Sequence, residues 1–124
     1  MAQANIITNP KISVLNSVID IIKSRLNGTS MYLDVGCGDG SLTIYVAKRL
    51  GAQRVYCIDI DDNALSIAKN RGIATLKLDV SSEHFPFADN TFDVITALDV
   101  IEHVLNPDNM LKEIFRILKK EVIS

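Results

Sequence analysis

Three aspartates and a glycine-spaced turn carry the chemistry this chain has to offer. Asp34-Val35-Gly36-Cys37-Gly38-Asp39-Gly40 follows an apolar run, Asp59 closes Val55-Tyr56-Cys57-Ile58, and Asp79 closes Thr75-Leu76-Lys77-Leu78. Glycine lacks a Cβ and reaches positive φ readily, so a G-x-G-x-G turn lets a ligand lie against bare backbone. Carboxylates at the carboxyl ends of neighbouring parallel strands converge on the crevice where open α/β sheets bind ligands. A carboxylate at Asp59 can accept hydrogen bonds from both hydroxyls of a ribose. Its alternative use as a helix N-cap is redundant, because Asp61 and Asp62 already stand at the next helix start. The set predicts a pocket for a nucleoside-type cofactor, with Ile60 flanking the base.

A dinucleotide site is the rival reading. That fingerprint is G-x-G-x-x-G, whose third glycine packs helix against strand. Counted from Gly36, the third glycine would fall at Ser41, and the acidic Asp39 sits where a diphosphate would approach the helix. An NAD(P)-dependent oxidoreductase is therefore disfavoured.

Asp34 through Gly40, then Asp59, then Asp79, then Phe92-Asp93-Val94-Ile95-Thr96-Ala97-Leu98, in this order and spacing, resembles the class I S-adenosylmethionine-dependent methyltransferases from about residue 32 to residue 123. The resemblance implies methyl transfer from S-adenosylmethionine to a small acceptor molecule. It implies that the methionine end of the cofactor lies over Gly36, Cys37, Gly38 and Gly40, with Asp34 facing its amino group and the carbonyls of Gly36 and Leu98 accepting from it. It further implies that Asp59 holds the ribose, and that Asp79 and the Val80 N–H meet the adenine edge. A cofactor-binding or interaction protein without turnover is the alternative. Asp99, Glu102 and His103, just after the fourth strand, are the candidates for a base. An imidazole suits that work near neutral pH, although a Glu-His pair there could equally face water. A sulfonium donor needs no metal, and no His, Cys or carboxylate cluster has ligand spacing.

These groups need a scaffold. Residues 1–9 are short and polar and read as a mobile arm, and 10–27 as a helix. Asn9-Pro10 is its start, Ile12, Leu15, Val18, Ile19, Ile22 and Leu26 are its stripe, and Gly28 its stop. Residues 31–124 read as the cofactor-binding core of a single domain. Strands are expected at 31–35, 54–58, 74–78 and 92–98, and helices at 41–50, from Asp61 or Asp62 to Gly72, and from Asn106-Pro107. The last helix presents Met110, Leu111, Ile114, Phe115 and Leu118. Apolar strands alternating with helices predict a Rossmann-like, doubly wound parallel sheet. The expected order is 3-2-1-4, with a rudimentary fifth strand from Glu121 beside the fourth and none of the usual C-terminal strands. So brief a fifth strand would leave the fourth near an open edge, a template for pairing, and a homodimer through that edge is expected.

Composition limits the partners. The 124 residues are 48% hydrophobic and 23% charged, with a net charge of −2. An acidic balance, scattered basic residues and the lack of an Asn/Asp-Pro-Pro-Tyr/Phe run after the fourth strand argue against nucleic acid. Arg116, Lys119 and Lys120 read as complements of a helix dipole. The start of the chain lacks the features of a signal peptide, and no stretch is long and apolar enough to span a membrane. The cytoplasm is the expected location, with Cys37 and Cys57 reduced and Cys37 chosen for its small size.

Overall fold

In a computed structural model, residues 2–3, 6–7, 12–26, 30–98, 100 and 103–122 are described. The elements in chain order are β1 (Ala2–Gln3), β2 (Ile6–Ile7), α1 (Ile12–Arg25), β3 (Met31–Val35), α2 (Ser41–Leu50), β4 (Arg54–Asp59), α3 (Asp62–Asn70), β5 (Ala74–Lys77), β6 (Val94–Thr96), α4 (Asp108–Ile117) and β7 (Glu121–Val122). The predicted helix start at Asn9-Pro10 and stop at Gly28 lie outside the described residues.

Four parallel strands stand in the order β5-β4-β3-β6, which is the expected 3-2-1-4 arrangement. Alternation along β3 divides the core. Tyr32 faces a layer of Leu15, Ile19 and Ile22 from α1 with Val46, Ala47 and Leu50 from α2. Leu33 and Val35 face Met110, Ile114 and Ile117 from α4, together with Phe85 and Phe92. Helix α3 adds Leu65 and Ala68 against Cys57 and Ile73. Asp61 caps α3, its carboxylate accepting from the N–H groups of Asn63 and Ala64, which leaves Asp59 available to the strand ends.

The fourth strand is shorter than its apolar pattern suggests. Asp93 interrupts it: its carboxylate accepts the Met31 N–H at 2.7 Å while its own N–H bonds the Met31 carbonyl at 2.9 Å. A side chain thereby replaces one rung of the ladder, and Phe92 forms an isolated parallel bridge to Leu118. In α4 the buried face is Met110, Glu113, Ile114 and Ile117, whereas Phe115 is 51% exposed. In α1, Ile12 is likewise exposed and the stripe begins at Leu15.

The fifth strand is a correction. Glu121–Val122 does not join the sheet beside β6; it pairs antiparallel with Ala2–Gln3. The position beside β6 is taken by Ile6–Ile7, parallel, with Ile6 opposite Ile95 and Ile7 opposite Thr96. Residues 2–3 and 6–7 therefore stand in ladders where an arm was expected, because two isoleucines meet a sheet edge that has hydrogen bonds to give. The homodimer rested on that edge being open, and the chain's own β2 pairs with it.

Candidate active site

Strand β3 delivers the chain into the glycine turn, where Gly36, Gly38 and Gly40 have φ of +75°, +58° and +82°. Each left-handed residue costs roughly 1–2 kcal/mol unless it is glycine, so three so close together favour glycine throughout. Two of the three are also held by sterics. A Cβ on Gly36 would come within 2.7 Å of the Val100 Cβ, and one on Gly40 within 2.6 Å of the Ile73 Cδ1. Around Gly38 a Cβ would meet nothing within 4 Å. Packing explains two glycines, and the third faces open space.

The turn is fastened to β4 by the N–H groups of Gly36 and Cys37, which both bond the Ile58 carbonyl, at 2.8 and 3.2 Å. Asp59 then reaches across. One carboxylate oxygen accepts the Gly38 N–H at 2.8 Å, and the other accepts the N–H groups of Ile60 and Asp61 at 2.8 and 3.0 Å. Beside this clamp lies a cavity of about 270 Å³, whose walls include Gly36, Asp59, Ile60, Asp79, Val80 and His103. Asp79 also holds the turn that follows β5, accepting from the Ser81 N–H and the Ser82 hydroxyl. Five predicted cofactor residues and one candidate base thus share one wall system. Asp99 and Glu102 lie outside the described residues.

Asp34, Cys37, Gly38, Gly40 and Leu98 are not among the cavity-lining residues. Asp34 is 2% exposed and both its oxygens are engaged below the turn, one by the Thr43 hydroxyl at 2.6 Å and one by the Thr96 hydroxyl at 2.8 Å. Thr96 donates to Asp34, so it accepts from the Tyr32 hydroxyl at 2.7 Å. This buried carboxylate joins β3, the first turn of α2 and the end of β6 beneath the glycines. Cys37 meets Cys57 behind the turn, and the two form a disulfide. Val100 and Val104, two further apolar wall residues four apart, were not anticipated; their spacing after the fourth strand is the signal that could have found them.

Burial pushes the Asp34 carboxyl up to about 6, against the two threonine hydrogen bonds, with the charge of Asp59 adding a smaller upward push. A folded value above the unfolded one of about 3.9 means that the native state binds the proton more tightly, so this group lowers stability as pH rises between about 4 and 6. On its account the protein should be about 1 kcal/mol more stable at pH 5 than at pH 7. Denaturant titrations of wild type and Asp34→Asn at the two pH values check this, because the variant should lack that increment. Equal slopes in both proteins would show that Asp34 does not titrate there.

A family model described as "Methyltransferase domain" matches residues 33–123. The chain is 33% identical over 107 residues to the demethylmenaquinone methyltransferase of Lactobacillus johnsonii, covering 80% of this chain and 43% of that protein. It is 36% identical over 94 residues to a ubiquinone/menaquinone biosynthesis C-methyltransferase of Idiomarina loihiensis, covering 70% and 38%. The chain thus spans about two-fifths of the length of these curated relatives. Among solved structures, the [4+2]-cyclase SpnF superposes with a TM-score of 0.67 at 29% identity, over 86% of this chain and 42% of that one. An S-adenosylmethionine-dependent methyltransferase from Mesorhizobium loti gives 0.65 at 21% identity, over 81% and 48%, a likeness of fold.

Proposed function

Because the chain belongs to the class I S-adenosylmethionine-dependent methyltransferases, we propose that it binds this cofactor across the glycine turn and serves methyl transfer to a small, ring-bearing acceptor of quinone type. The observation that carries the reading is the open face of Gly38, whose N–H is bonded to the carboxylate of the cavity-lining Asp59. When bound, the cofactor supplies a sulfonium methyl that is already activated for in-line displacement. The chain's part is to bind and orient, and positioning alone can supply roughly 7–11 kcal/mol of a barrier. Asp59 suits the ribose hydroxyls, at the expense of its bond to Gly38. Asp79 and the Val80 N–H suit the edge of the base, and Ile60 its face. His103, the one imidazole among the described cavity-lining residues, is the group that suits taking a proton from an acceptor carbon or oxygen through a ring nitrogen. The acceptor class comes from the names of the two relatives, and the apolar walls of Val100 and Val104 suit such a ring.

The 29% identity to a [4+2]-cyclase shows that this fold hosts other chemistry, so binding and transfer need separate tests. For binding, Gly38→Ala is diagnostic. The added methyl meets no protein atom, leaving only the left-handed φ to resist it, at roughly 1–2 kcal/mol. We expect a folded variant with a melting temperature only a few degrees lower, and at least a tenfold loss of S-adenosylmethionine affinity by calorimetry, about 1.4 kcal/mol. Unchanged affinity would mean that no ligand rests on Gly38. For transfer, labelled methyl should pass to a demethylated quinone. Cofactor binding without label transfer to any of a panel of quinones and phenols would favour a binding protein.

A further inference from the structure

Cys37 and Cys57 lie on the back of the glycine turn, outside the cavity walls, and are joined by a disulfide with 5.7 Å between their Cα atoms. That span lies within the range a disulfide requires. Cys57 sits in β4 opposite Asp34 and is fully buried, whereas Cys37 retains 9% of its surface. Leu65, Ala68 and Ile73 close the pair in from the α3 side. The two sulfurs were unrelated in the sequence reading, one for its small size and one inside a strand. Their meeting follows from the parallel register.

We propose that Cys37 and Cys57 form a thiol–disulfide exchange site for low-molecular-weight disulfides, and that its oxidised form holds the cofactor turn in the arrangement described above. Exposure fixes the order of events. The Cys37 thiolate attacks one sulfur of the small disulfide, forming a mixed disulfide and releasing the first thiol. The Cys57 thiolate then attacks the Cys37 sulfur and releases the second. Two electrons pass from the cysteine pair to the small disulfide, and the two protons leave with the two thiols formed. Cys57 has no surface of its own, so both oxidation and reduction enter through Cys37.

The backbone gives the bond a consequence at the site. Gly36 and Cys37 already hang on the Ile58 carbonyl next to Cys57, and Gly38, the next residue, donates to Asp59. Non-bonded sulfurs occupy more room than bonded ones, and the apolar cluster behind them is packed. Reduction therefore moves the turn away from β4 or rotates Cys57, and either change shifts the glycine backbone on which the cofactor is to rest. The part of the proposal that concerns affinity rests on the cofactor reading given above; the exchange site does not.

The test uses the full chain equilibrated in glutathione buffers, with thiols counted under native conditions and by intact mass. After millimolar oxidised glutathione we expect no free thiol, a mass 2 Da below the dithiol form (two hydrogens lost) and a melting temperature about 10 °C above the reduced form. Calorimetry should show S-adenosylmethionine binding about three- to tenfold tighter in the oxidised form. Cys37→Ser should keep Cys57 unreactive and make affinity independent of the buffer. Two titratable thiols after oxidation, or a stable glutathione adduct, would overturn the exchange site. Equal affinity of the two forms would overturn its link to the turn. A disulfide that forms while neither form binds the cofactor supports the exchange site and removes the cofactor reading instead.

Discussion

Replacing Asp59 with alanine is expected to weaken S-adenosylmethionine binding by about ten- to a hundredfold. Hydrogen bonds to a charged acceptor contribute roughly 1.5–3 kcal/mol, and each 1.4 kcal/mol is about one decade of affinity. Asp59 carries this burden because it closes β4 and already gathers the N–H groups of Gly38, Ile60 and Asp61. Asp59 lines the cavity, and its carboxylate can exchange the Gly38 bond for a ribose hydroxyl. Calorimetry on the variant checks the loss, and circular dichroism checks that α3, whose entry Asp59 also steadies, remains in place. An affinity unchanged within a factor of two would remove Asp59 from the cofactor site. Asp59→Asn is the informative companion. It keeps one acceptor oxygen but not the charge, so it should fall between wild type and alanine.

The second large effect is on stability. Glu113 is 3% exposed on the inner face of α4 and accepts from the Phe85 N–H at 2.7 Å and from Arg116 at 3.0 and 3.1 Å, with His84 Nδ1 at 2.9 Å. Arg116 in turn donates to the carbonyls of Phe85 and Phe87 and to Asp89. This pair staples the helix-free crossover between β5 and β6 onto α4. Glu113→Ala would leave a guanidinium half-partnered and the Phe85 N–H orphaned. Leaving the Phe85 N–H unpaired and removing two charge-assisted bonds from a partly exposed guanidinium cost roughly 1.5–3 kcal/mol, which for a chain of this size is a melting temperature about 5–10 °C lower. Arg116 hydrogen bonds, above all, hold the Glu113 carboxyl below its ordinary range, outweighing burial. Its contribution is therefore complete above the usual carboxylate range and is lost as pH falls through the depressed folded value. Melting wild type and Glu113→Ala at pH 7 and pH 3 should show a gap that narrows at low pH. A constant gap would mean that the staple works by packing alone.

Much of the sheet and of the glycine turn was legible because its signals are local. A glycine turn, an aspartate after each apolar run and the 3.6-residue stripe of α2 each report on a few consecutive residues, and the strand order follows from the alternation of elements. What escaped depended on contacts far apart in the chain. Asp34 was assigned to the methionine amino group, whereas Thr43 and Thr96 occupy both its oxygens, and a lone aspartate gives no sign of which neighbours will surround it. Phe115 fits the helical stripe as well as Ile117 does, yet Phe115 is exposed and Ile117 buried, because the stripe's phase is set by the sheet beneath. The cysteine pair and the Glu113–Arg116 staple join different elements, and nothing in either segment alone announces them. Ile6–Ile7 was hidden by its polar surroundings, since a two-residue strand has no period to read.

The place of β2 has a consequence for how the protein is made. Residues 31–77 contain β3, β4 and β5, which pair only with one another on that side of the sheet, so they can assemble as soon as they leave the ribosome. Ile6–Ile7 emerge before any of them but dock only on Ile95–Thr96, and Ala2–Gln3 only on Glu121–Val122. At roughly 5–20 residues per second of synthesis, Ile6–Ile7 wait several seconds for Ile95–Thr96. The beginning of the chain is thus the last part of the sheet to close, through its most non-local contacts. During that interval the outer flank of β6 is open, and it is sheltered once Ile6–Ile7 dock on Ile95–Thr96.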